Sequence, residues 1–276
     1  MRHRCLVASL VAVVLTLAGC GSSSSSNSSS SSGSGPSSSS STNAGGSSSG
    51  IPDLTVSAAA SLKAAFTAYG AKFTLAHARF SFAGSDMLAT QIEQGAKPDV
   101  FASANTTLPK QLYAKGLLEQ PVTFAANKLE LAVPASSKIT SIADAGKSGT
   151  TIAIGSATVP IGIYTRKVLA KLGPAQSKQI LGNVRSEEPD VNGIIGKLTE
   201  GAVDAGFTYI TDVQATHGKL KAIALPARLQ PVVAYGIAVV KGTTHPVQAE
   251  QFITGLLHGE GSAELLAAGF LAPPHP

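Results

Sequence analysis

The stretch Thr55-Val56-Ser57-Ala58-Ala59-Ala60-Ser61-Leu62 decides the fold. It opens as a β-forming run, passes through small residues and a serine, and continues into a segment whose Phe66, Tyr69 and Phe73 share one helical face. A strand that feeds a helix through a tight polar turn is the first half of a βα unit. The same pattern recurs outward along the chain. Strands are expected at 54–57, 80–82, 100–103, 129–133, 151–154, 205–209, 222–225 and 232–240. Helices between them are marked by Ile163, Val168 and Leu172, by Ile194, Ile195 and Leu198, and by Phe252, Ile253 and Leu256. This alternation predicts an α/β fold of parallel sheets covered by helices. No internal repeat of fixed period is visible.

In such sheets ligands bind beyond the carboxyl ends of the strands, where loops open into helix N-termini. Four loops have that character: Val56 to Ser61, Phe82-Ala83-Gly84-Ser85, Val159-Pro160-Ile161-Gly162-Ile163-Tyr164 and Pro189-Asp190-Val191-Asn192. Taken singly, Ser61 and Ser85 also fit the ordinary role of helix N-caps. Taken together, converging helix ends with hydroxyls at their tips make an anion site that needs no lysine or arginine. Each end offers unpaired N–H groups and the positive pole of the macrodipole.

The rest of the chain points outside the cell. Residues 1–19 read as an export signal, with Arg2 and Arg4 ahead of an apolar run too short to span a bilayer. Leu17-Ala18-Gly19-Cys20 resembles a bacterial lipobox, in which the Cys20 thiol carries the lipid; a plain secretory signal with a chance cysteine is the alternative. The other cysteine, Cys5, is lost with the signal, which leaves no disulfide, thiol nucleophile or cysteine metal site. Residues 20–50 form a lipidated cysteine and a Ser/Gly tether, too polar to fold and spanning about 30 Å as a coil. Its Gly46-Ser47-Ser48-Ser49-Gly50 matches the G-x-S-x-G nucleophile elbow only formally, because no strand precedes it and no helix follows.

Removing Arg2 and Arg4 lowers the formal charge from +5 to +3, and no basic cluster or aromatic stripe supports nucleic-acid binding. Six scattered histidines provide no metal-ligand spacing.

At the loops the sequence resembles the molybdate-binding proteins of ABC transporters, the ModA family. The resemblance rests on residues 55–62, on Phe82 to Ser85, and on Ile92-Glu93-Gln94-Gly95-Ala96-Lys97-Pro98-Asp99-Val100-Phe101. It continues in Val159 to Tyr164 and in Gly206-Phe207-Thr208-Tyr209. It implies a two-lobed type II periplasmic-binding fold, each lobe a mostly parallel sheet flanked by helices. It places hinge crossings near 131–134 and 231–235, lobe 1 at 51–132 plus 232–276, and lobe 2 at 133–231. It also implies oxyanion ligands: the Ser61 and Ser85 hydroxyls, the Ile161 and Val191 N–H groups and the Tyr209 hydroxyl. Molybdate or tungstate would then be cargo rather than cofactor, bound by a monomer, lipid-anchored on the outer face of the membrane, that serves an ABC permease. Gly84 departs from the small polar residue a relative carries before the second serine.

Other readings stay open at this level. Tyr209 also fits a core aromatic at a strand end, and Asp86 and Asp190 fit acids in a helix's first turn. A sulfate or phosphate binder would use the same helix ends, although protonated phosphate needs an acceptor such as Asp86 or Asp190. An amino-acid binder would need an arginine, and none falls in the quoted stretches. An enzyme could draw on Asp86, Asp190 and His217, but no triad or metal set accompanies them. A structural lipoprotein would explain Cys20 and the tether, but not the loops.

Overall fold

The computed structural model describes residues 50–274. The expected export signal, Cys20 and all but the last residue of the expected tether lie outside the described residues. The chain first lays down β1 (Asp53–Ala59), α1 (Lys63–Gly70), β2 (His77–Ala83), α2 (Ser85–Glu93), β3 (Val100–Ser103), α3 (Thr107–Ala114) and β4 (Val122–Asn127). It continues with β5 (Leu129–Pro134), β6 (Ile152–Gly155), α4 (Pro160–Lys171), α5 (Pro174–Gly182), β7 (Val184–Glu188), α6 (Val191–Thr199), β8 (Ala205–Tyr209), α7 (Ile210–Gln214) and β9 (Leu220–Ala224). It ends with β10 (Val233–Val239), α8 (Pro246–His258) and α9 (Glu260–Ala267). Proline at the start of α4, α5 and α8 pre-sets φ where an N–H has no helical partner to lose.

Two five-stranded sheets result, ordered β2-β1-β3-β10-β4 and β7-β6-β8-β5-β9. In the first, β1 pairs parallel with β2 and β3, while β10 runs antiparallel to β3 and β4. The second repeats the pattern with β6 parallel to β7 and β8, and β5 antiparallel to β8 and β9. Four strands of each sheet therefore run one way, and the reversed strand is the one that arrives from the other lobe. This is the two-lobed α/β fold that the family resemblance implies, with the same topology built twice.

The first crossing differs in position. The whole of β5 belongs to the second sheet, so the chain leaves lobe 1 at Lys128 rather than within 131–134. The reason is pairing: both neighbours of β5 come from lobe 2, and five of its six residues are buried between them. The return crossing lies between β9 and β10, where a short 3-10 turn at Ala227–Leu229 leads to Val233. Two strands missing from the sequence reading, β4 and β7, are sheet edges. Val184-Arg185-Ser186-Glu187-Glu188 has no apolar face to read, and its exposure alternates between partial and full.

Packing fixes which ends of the helices meet. Phe66 of α1 touches Phe80, Phe124 and Phe252 at ring separations of 6.1, 5.9 and 5.7 Å, clamping α1 and α8 to one face of the first sheet. Such pairs add about 0.5–1.5 kcal/mol each beyond area burial. On the opposite face, Leu88, Ile92, Phe101, Leu112 and Leu118 seat α2 and α3. Matching clasps lock the strand starts: the Asp99 carboxylate accepts the Thr55 N–H and hydroxyl at 2.6 and 2.7 Å. Asp204 does the same for Thr151 at 2.8 and 2.7 Å. With the strands so registered, the turns after β1, β2, β6 and β7 all open toward the other lobe.

Candidate functional site

Those four turns and the end of β8 line one small cavity of about 10 Å³. Ser61, Ser85, Ile161, Val191 and Tyr209, the five residues singled out in the sequence, all line it. A space of this size suits one compact ion. Its lining contains no lysine or arginine, and Asp190 is its one formally charged side chain.

Neither serine is a helix cap. Ser61 lies in the 3-10 turn between β1 and α1, and Ser85 is the first residue of α2, after the N-cap Gly84. The Ser85 oxygen accepts the Ala104 N–H at 3.1 Å, so its own proton is free to point elsewhere. The Ser61 oxygen lies 2.9 Å from the Tyr235 hydroxyl, which the Asn127 amide reaches at 3.4 Å. If Asn127 donates to Tyr235 and Tyr235 to Ser61, the Ser61 proton also faces the cavity. Tyr235 and Asn127, both at the lobe crossings, went unrecognised in the sequence. No local motif joins them to Ser61, which is 174 positions from Tyr235.

From lobe 2 come backbone donors. Ile161 is the second residue of α4, and Val191 the first of α6, so neither N–H has an acceptor within its own helix. The Asp190 carboxylate caps α6 by accepting the Asn192 and Gly193 N–H groups at 2.8 and 3.3 Å, which leaves Val191 unclaimed by its cap. Gly162 permits the approach of α4, because a Cβ there would overlap the carbonyls of Gly155 and Ser156.

Tyr209, at the end of β8, completes the lining. Its ring stands edge-on to Tyr164 and Tyr235, at 6.5 and 6.0 Å. Its hydroxyl is fully buried and has no hydrogen-bond partner. Burial, then the neighbouring Tyr235, Tyr164 and Asp212, push that hydroxyl well above the ordinary phenol range, so it remains a protonated donor.

Asp86 stands outside the cavity lining. One of its oxygens accepts the Met87 N–H at 2.9 Å and the other accepts the Thr158 hydroxyl, which ties α2 of lobe 1 to the turn before α4 of lobe 2. His217 lies elsewhere, in the turn before β9, so Asp86, Asp190 and His217 form no catalytic set.

Gly84 has a steric role at the same seam. A Cβ on it would overlap the Pro189 carbonyl oxygen across the lobes. Gly84→Ala should therefore hold the lobes apart, weakening ion capture by about 1–3 kcal/mol while the lobes themselves stay folded. Calorimetry alongside a thermal melt checks both halves; unchanged affinity would mean the seam does not close on the ligand.

A family profile for bacterial extracellular solute-binding proteins matches residues 54–271. The chain belongs to that family, in its ModA branch. The molybdate-binding protein ModA of Mycobacterium tuberculosis is 35% identical over 235 residues, covering 83% of this chain and 88% of that protein. A putative ABC transporter substrate-binding lipoprotein of Bacillus subtilis, YvgL, is 29% identical over 231 residues, covering 79% and 86%. Among solved structures, the periplasmic molybdate-binding protein of Azotobacter vinelandii superimposes with a TM-score of 0.72. It is 23% identical and covers 80% of this chain and all of that one, a likeness of fold. Family membership places the protein's work outside the cytoplasm, as a carrier of solute for transport. No helix among the described residues is long and apolar enough to cross a membrane.

Proposed function

We propose that this chain captures one molybdate or tungstate ion between its lobes, with high affinity, and delivers it to an ABC importer. The observation that carries the reading is the Tyr209 hydroxyl, a buried donor without a protein partner, on a residue that lines a cavity sized for one ion. A buried unpaired donor costs about 1–3 kcal/mol, a cost that a bound acceptor removes. Around it the Ser61 and Ser85 hydroxyls and the Ile161 and Val191 N–H groups supply further donors. A fully deprotonated tetrahedral oxyanion asks for donors alone. The name borne by the Mycobacterium tuberculosis relative supports molybdate as the cargo. Enclosure between lobes lowers the local dielectric and strengthens each charge–dipole contact. The ion is cargo, and no cofactor or chemical step is required.

Native mass spectrometry of the mature chain tests this. Molybdate should add the mass of one ion to a monomer, and so should tungstate. A spectrum unchanged at excess ion would remove the reading.

The anchor is the second part of the proposal. Cys20 carries a lipid, and the Ser/Gly tether lets the folded part reach a permease; the lipoprotein named among the relatives supports this. Cys20→Ala should move the protein from the detergent phase to the aqueous phase on temperature-induced partitioning, since the lipid is the proposed anchor and no helix among the described residues is long and apolar enough to span a membrane. Retention of the variant in the detergent phase would contradict it.

A further inference from the structure

Behind Tyr209 lies a carboxyl group that the site as described leaves unused. Asp212 is buried, accepts the Tyr209 N–H at 3.1 Å, and makes no ion pair among the described residues. It lines a second, larger space of about 700 Å³ between the lobes and is joined to the ion cavity through Tyr209, whose N–H it accepts. Lys63, Asn192, Gln214 and His217 also line that space, and Ser61 borders both cavities. A charge at Asp212 would therefore sit against the backbone of a residue that lines the ion cavity.

Resting on the reading of the cavity as an oxyanion site, we infer that Asp212 is a positioning residue that couples capture of the ion to uptake of one proton. The carboxyl holds the Tyr209 backbone in either protonation state, but its ionised form repels the incoming ion across a poorly screened interior. Binding therefore favours the neutral acid. A proton from solvent, reaching Asp212 through the larger space, forms an O–H bond on the carboxyl, and no other bond changes.

Burial, against the opposing pull of the Tyr209 N–H and with help from Asp190, pushes the Asp212 carboxyl up to about 7. The other charged or titratable groups around it are Tyr209, Tyr235, Lys63 and His217. Glu130 on β5 and Lys221 on β9 belong to elements packed on α7 but are bonded elsewhere, to the Leu225 N–H and the Ser137 carbonyl.

The sign follows. The bound ion raises the carboxyl above its free value, so affinity is full below about pH 7 and falls as pH rises through that value. The slope is up to tenfold per pH unit until the ion-bound form also ionises. The test is calorimetric titration with molybdate from about pH 6 to about pH 9, in buffer pairs of different ionisation enthalpy. Wild type should take up a fraction of a proton per ion that peaks above neutrality. Asp212→Asn, whose side-chain carbonyl can still accept the Tyr209 N–H, should abolish both the uptake and the slope and bind more tightly than wild type at alkaline pH. His217→Gln should keep the slope. Binding by wild type without proton uptake, or a slope retained in Asp212→Asn, overturns the inference and leaves the site reading intact. Absence of binding at every pH overturns both.

Discussion

Tyr209→Phe should weaken molybdate binding by about 1.5–3 kcal/mol, roughly ten- to 150-fold, and leave the melting temperature of the protein alone unchanged or raised. The two halves of this expectation have one cause. The hydroxyl makes no protein hydrogen bond, so its removal costs the fold nothing and relieves a buried unsatisfied donor. The ring remains, and with it the edge contacts to Tyr164 and Tyr235. Only the bond to the ion is lost. A tyrosine serving as a core aromatic would behave in the opposite way, with stability falling and affinity little changed. Titration calorimetry and a thermal melt on the same preparation separate these roles. Asp86→Asn is the control: its carboxylate lies outside the lining, and asparagine can still accept from Thr158.

Molybdate and tungstate should bind with similar affinity, and sulfate more weakly by roughly two to four powers of ten. A shell of fixed hydrogen-bond donors reads size and charge, in which molybdate and tungstate are almost alike. Sulfate is smaller and cannot reach every donor at good length. Each charge-assisted bond missed costs about 1.5–3 kcal/mol, and two misses give the stated range. The shell can adjust little, because Gly162 and Gly84 already lie against backbone carbonyls on either side. Monohydrogen phosphate meets a further obstacle, since its proton needs an acceptor. Asp190 is the one carboxylate in the lining, and one of its oxygens is engaged in capping α6. Competition titrations with the four anions measure the order. Sulfate or phosphate binding as tightly as molybdate would overturn the assignment of cargo.

The parts of this architecture visible in the sequence are those written locally. Thr55 to Leu62 shows a strand, a small-residue turn and a helix in eight residues, and each cavity-lining loop has a similarly compact signature. What escaped was decided by distant partners. β7 is polar because it is an edge strand, and its place depends on β6, some thirty residues earlier. α3 carries Pro109 in its first turn, where proline is tolerated but reads as a breaker. The crossing at Lys128 was misplaced because 129–133 is a legible strand whose sheet is set by β8 and β9. Asn127, Tyr235 and Ser61 meet only after both crossings are made, and the pairing of Ser85 with the Ala104 N–H depends on strand order. The serines could therefore be singled out in the sequence, whereas the contacts that orient their protons could not.

The most direct test of the account is anomalous diffraction from crystals grown with molybdate. One strong peak should lie within the cavity, with its oxygens in hydrogen-bonding reach of the Ser61, Ser85 and Tyr209 hydroxyls and the Ile161 and Val191 nitrogens. A peak elsewhere on the protein, or an ion that leaves the Tyr209 hydroxyl unpaired, would contradict it.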